Sequence, residues 1–201
     1  MKPAPTDMHD GDGRLLFGLR PIPKRFHSVY VGGRFEQCTL CEAPLLANGQ
    51  QYLIEKHFNG SEATLEYATC EKCTEQLHSE LSQESIQRLE QRFRRAFRAF
   101  EEARGLDECG MLDGIAHRCL FCHAHARAKV CKERIIVGWF RGIHMEISAQ
   151  LPLMICYPCA EALEAQLSET TRRRLEDFAN EILDFPPDFA DLPSRPSLLL
   201  I

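Results

Sequence analysis

Apolar and polar positions change period several times along the chain. Residues 51–58 have strand-like content, and residues 63–69 alternate apolar with polar. Asn59-Gly60 between them is a turn signal, so the pattern predicts a hairpin. The period then lengthens. Leu77 and Leu81 share one face of a helix over 74–81. Ser82 reads as the N-cap of a longer helix, with Glu84 in its first turn. That helix, over 83–104, carries Ile86, Leu89, Phe93, Phe97 and Phe100 at spacings of three and four, and the stripe needs cover from something. Gly105 is its stop.

The same succession returns further on. Residues 130–140 and 143–155 read as strands on either side of Arg141-Gly142. A helix with Leu163 and Leu167 follows, then Ser168 as a cap and a stripe of Leu175, Phe178 and Ile182. Shifting the second half back by 86 positions gives nine identities in a 21-residue window, from Cys70 on Cys156 to Glu90 on Glu176. Duplication is the reading that follows, with the two units related by a pseudo-twofold axis. The expected organisation is an irregular arm over 1–34, one module over 35–104, a glycine-containing linker over 105–116, a second module over 117–185 and a Pro-rich acidic tail over 186–201. Within the arm, Leu15-Leu16-Phe17, Phe26, Val29 and Tyr30 are candidates to dock on a folded surface.

Eight of the ten cysteines form four C-x-x-C pairs: Cys38/Cys41, Cys70/Cys73, Cys119/Cys122 and Cys156/Cys159. In each module one pair sits before the hairpin and the other where a helix begins. Helix positions i and i+3 share a face, and the free N–H groups of the first turn favour thiolate charge. Four thiolates suit a tetrahedral zinc ion, and an all-cysteine set leaves no open position for catalysis. Two structural zinc ions are therefore expected. A redox dithiol at each pair is the rival reading, and it leaves the two matched sets unexplained.

The order of knuckle, hairpin and ligand-bearing helix resembles the treble-clef zinc finger, across about two thirds of the chain. The resemblance implies an α+β fold of two tandem treble-clef-like modules. It says little of function, because such fingers serve many roles. HNH endonucleases are similar to treble clefs, and His57, Asn59 and His78 are the residues to fill their catalytic roles. Lys56 before His57 and the missing counterparts in the second module argue against it. No catalytic residue or cofactor other than zinc is assigned.

Charge adds a second candidate surface. The chain carries a formal charge of −5, which speaks against indiscriminate nucleic-acid binding. Yet Arg88, Arg92, Arg94, Arg95 and Arg98 cluster on one predicted helix, as a solvated face or as a patch for a polyanion or acidic partner. The acidic tail is a candidate cover for that patch. Cys109 and Cys131 have no repeat counterpart; Cys131 reads as a small core residue in a strand, or as part of a third metal site with His117, His123 or His125. No apolar run approaches the ~18 residues of a membrane span, and no signal segment is visible. A cytoplasmic protein is expected. Its function is expected to be non-enzymatic binding of a protein partner, with nucleic-acid binding as the second class and a nuclease as the third.

Overall fold

A computed structural model describes residues 20–47, 49–104, 117–145 and 152–183. The fold is mixed α+β, built on an antiparallel sheet with helices on one face. The elements in order are β1 (Arg20–Pro21), a 3-10 turn (Lys24–Phe26), β2 (Gln51–Asn59), β3 (Glu62–Cys70), α1 (Glu71–Glu80) and α2 (Gln83–Arg104). A second 3-10 turn (Lys129–Cys131), β4 (Glu133–Arg141), β5 (His144–Met145), β6 (Leu153–Cys156), α3 (Tyr157–Glu164) and α4 (Glu169–Leu183) complete it.

Each repeat supplies a hairpin followed by two helices. In the first, β2 and β3 turn at Gly60, whose φ of 64° favours glycine. The second departs from expectation. Residues 129–131 form a 3-10 turn rather than the start of a strand, so Cys131 lies outside the sheet. β4 begins at Glu133, and the return strand is split into β5 and β6, both on the free edge of β4. Residues 146–151 lie outside the described set, as do the expected linker with Cys109, the C-terminal tail and residues 15–17.

The two hairpins join into one sheet. β2 pairs with β4 antiparallel over nine residues, from Gln51↔Arg141 to Asn59↔Glu133. One buried core runs through both repeats. Strand alternation gives the sheet two covered faces. Leu53, Glu55, His57 and Tyr67 lie on the helix side, where Tyr67 meets Phe178 of α4 at 6.0 Å. Tyr52, Ile54, Lys56, Gly138 and Phe140 lie on the other side, under the chain before β2. There Phe26 is fully buried and its ring contacts Phe140 edge-on at 5.1 Å.

The helices cross over between repeats. The stripe on α2 is covered by the second knuckle: Phe93 meets Phe121 at 5.1 Å, and Phe100 meets His123 at 5.5 Å. Arg88 on α2 donates to the Gln166 carbonyl at 2.9 Å, and its counterpart Arg174 on α4 pairs with Glu80. At the centre the two helix caps meet. Ser82 Oγ accepts from Ser85 N–H and Ser168 Oγ from Thr171 N–H, both at 3.2 Å. The two cap hydroxyls lie 2.9 Å apart. Ser82 N–H donates to Thr171 Oγ1 at 3.0 Å, and Ser168 N–H to Ser85 Oγ at 2.9 Å. Each of these cap contacts has its mirror 86 positions away, which is how a pseudo-twofold axis reads at atomic scale.

Candidate metal centres

Each repeat folds its knuckle the same way. Cys38 N–H donates to Ala43 O at 2.8 Å, and Glu42 N–H to Cys38 O at 2.9 Å. In the second repeat Cys119 N–H donates to Ala124 O and His123 N–H to Cys119 O, both at 2.9 Å. Glu42 and His123 both hold φ at 58°, so both knuckles use the left-handed region at the residue after their second cysteine. The knuckle is tied to the hairpin as well. Thr39 N–H donates to Ala68 O, and Leu120 N–H to Met154 O, each at 2.8 Å.

The last strand then delivers the helix. Cys70 caps α1 and Cys156 caps α3, so Cys73 and Cys159 fall one turn in. Cys70 N–H points to Cys38 Sγ and Cys156 N–H to Cys119 Sγ, each at 3.4 Å. Two quartets result: Cys38, Cys41, Cys70 and Cys73, and Cys119, Cys122, Cys156 and Cys159. Within each, all four sulfurs lie within 4.8 Å of one another. The described cysteines form no disulfide.

The donor set can be tested for fit. Four thiolates about 2.3 Å from a central ion form a tetrahedron with edges of about 3.8 Å. The Cys41–Cys70 and Cys122–Cys156 sulfurs are 3.7 Å apart in both sites. Burial pushes the Cys70 and Cys73 thiols up, and pushes Cys159 up to about 12. Cys156 is raised by its hydrogen bond with Cys119, then by burial; that shared bond brings Cys119 down to about 4. Protons alone leave each quartet partly neutral, whereas a dication lets all four sulfurs ionise. Both quartets can therefore hold a metal ion.

The other candidates fare differently. Among the described residues no third group of metal ligands forms, so Cys131 and His117, His123 and His125 do not assemble one. Cys131 is fully buried, with Sγ 3.6 Å from the Ala124 carbonyl. His57 is fully buried and held between Glu55 at 2.7 Å and Tyr157 Oη at 2.9 Å. Arg88, Arg92, Arg94, Arg95 and Arg98 are all exposed on α2, with Arg88 engaged by Glu84.

Sequence reasoning missed a further feature beside β2. Lys56 and Glu66 form an ion pair at 2.8 Å with side chains only 2% and 1% exposed. Lys56 Nζ also donates to His27 O at 2.5 Å. Glu66 accepts from Ser28 Oγ at 2.5 Å and from the N–H groups of Val29 and Tyr30 at 2.8 and 3.3 Å. This carboxylate fixes the backbone of a loop whose side chains face water: Val29, Tyr30 and Val31 are 65%, 77% and 74% exposed. Of the arm residues expected to dock on a folded surface, Phe26 does so, whereas Val29 and Tyr30 do not: Glu66 holds their backbone N–H groups and leaves their side chains in water.

No described helix is long and apolar enough to cross a membrane. No family model matches the chain, and neither a curated protein nor a solved structure does.

Proposed function

We propose that the chain is a non-enzymatic adaptor, held in shape by two structural zinc ions in treble-clef-like modules, that binds a protein partner. The all-cysteine quartets support zinc, since soft thiolates in a tetrahedron are its usual structural set. Such sites are closed, which favours structure over catalysis. The burial of His57 speaks against its use as a nuclease base, because it has no path to a phosphodiester.

The observation that carries the partner is the loop over 28–33. Three consecutive apolar side chains stand in water on a backbone anchored by a buried carboxylate. Exposed apolar patches on a rigid frame suit protein interfaces, because little ordering entropy remains to be lost on binding. Aromatic anchors such as Tyr30 dominate such contacts.

The test has two arms. Purified protein should contain two zinc ions per chain by elemental analysis. In pull-downs from the native host, Tyr30→Asp with Val31→Asp should lose a partner that the parent chain retains, with zinc content unchanged. Equal capture by both would remove the loop from the interface. Nucleic-acid binding through α2 is the second reading, favoured by the exposure of Arg92, Arg94, Arg95 and Arg98. It requires a salt-sensitive affinity that falls when Arg94, Arg95 and Arg98 become Ala.

A further inference from the structure

The segment around the second knuckle departs from its counterpart in a way the fold does not require. Aligning Cys119 on Cys38 sets residues 117–134 against 36–53. The earlier segment holds two acids, Glu36 and Glu42, and no base. The later one holds five Arg or Lys residues, three His and a single acid, Glu133. Both segments build the same knuckle, and two of the five bases serve the fold, Arg118 on the His123 carbonyl and Arg134 on the Gly60 carbonyl; Arg127, Lys129 and Lys132 have no such role among the described residues.

These residues line an open hollow of about 740 Å³ on the surface. Arg127, Lys129, Lys132, Arg134, His117 and His125 line it, together with Ser61 from the turn of the other repeat's hairpin, and among the described residues no carboxylate does. Arg127, Lys129 and Lys132 are exposed, and none forms an ion pair among the described residues. The frame beneath them is fixed. Arg134 donates to Gly60 O at 2.7 Å, and Gly60 N–H donates to Lys132 O at 2.7 Å, clamping the turn to the loop. The Arg134 guanidinium also lies over the Phe58 ring at 5.0 Å. His125 accepts at Nδ1 from the Arg127 N–H at 3.1 Å, so its neutral ring carries the proton on Nε2 and can donate from there. The His117 and His125 rings lie parallel, 6.3 Å apart.

Gathering cations around one hollow without an acid costs mutual repulsion, which an anionic ligand relieves. The space falls within the ~300–1,000 Å³ of small-molecule sites and exceeds what inorganic phosphate fills. Arginine forks and lysine ammonium groups match phosphate oxygens in charge and geometry. We propose that this hollow binds a phosphate-bearing small molecule of nucleotide size, with Arg127, Lys129 and Lys132 on the phosphates. It goes beyond the adaptor reading and does not depend on it.

Titration calorimetry on the full metal-loaded chain tests this, with pyrophosphate and with ATP free of added divalent cation. Both should bind the parent chain. Arg127→Ala with Lys129→Ala, and separately Lys132→Ala, should weaken ATP by about tenfold or more, as expected for lost charge-assisted hydrogen bonds. Arg94→Ala with Arg95→Ala, on α2, should leave it unchanged. Metal content and thermal unfolding of each variant report on folding. Absence of binding by both probes, or equal loss from pocket and α2 variants, would overturn the assignment. So would a single-stranded oligonucleotide that binds through the pocket residues while ATP fails to displace it.

Discussion

Lys56 and Glu66 show how far a single pair can govern a surface. Each is almost wholly shielded from water, and each is satisfied mainly by the other and by the chain over residues 27–30. Burial would raise the Glu66 carboxyl, but the hydrogen bonds from Lys56, Ser28 and Val29 outweigh it and hold the group below the ordinary range. The sign follows. Its stabilisation is whole above an ordinary carboxylate pKa of about 4.3, and it is lost as pH falls through the depressed folded value. Glu66→Ala strands a buried ammonium, and chemical denaturation should show a loss of about 3–5 kcal/mol. The variant should also lose the acid-limb dependence that belongs to this carboxyl. Hydrogen exchange at Val29 and Tyr30 should quicken, since their amides lose their acceptor. None of this was legible beforehand, because the sequence does not show which residues meet the polar run Glu55-Lys56-His57. Its partners Glu66, Tyr157 and the His27 carbonyl come from three other segments.

At the level of elements, the caps of α2 and α4 were readable and their meeting was not. Ser82 and Ser168 each precede a helical stripe, and each accepts the N–H three residues on. A cap is a local device, and local chemistry survives in sequence. That the caps bond to one another depends on how two remote helices cross. Ser82→Ala and Ser168→Ala should each cost about 1 kcal/mol, within the usual range for caps. Because their hydroxyls share partners, the double variant should not sum to the two singles, and a double-mutant cycle on unfolding free energies checks it. The hairpin turn at Gly60 and the start of α2 at Gln83 were likewise legible. The split second hairpin was not. β5 and β6 are short, and residues 129–131 have strand-like composition but are pulled into a 3-10 turn that buries Cys131.

For the whole molecule, the joined sheet decides how the metal sites act. The quartets were readable because ligand spacing is a short-range pattern. The β2–β4 pairing was not, because either strand could equally have remained an edge. With β2 and β4 paired throughout, damage at one quartet should reach the other repeat. Cys156→Ser should lower the stability of both halves in a single cooperative transition, seen as parallel loss of hydrogen-exchange protection in β2 and β4. Protection lost in the second repeat alone would show that the sites act independently.

The exchange of covers has one more implication. Because α2 hides its phenylalanines beneath the other half's knuckle, neither half owns a complete interior. A chain of this kind is built like two related subunits soldered end to end, each finishing its sibling. If residues 35–104 were produced alone, they would exist as a symmetric pair or as aggregate. A gene cut within 105–116 should yield two fragments that restore one another only when mixed.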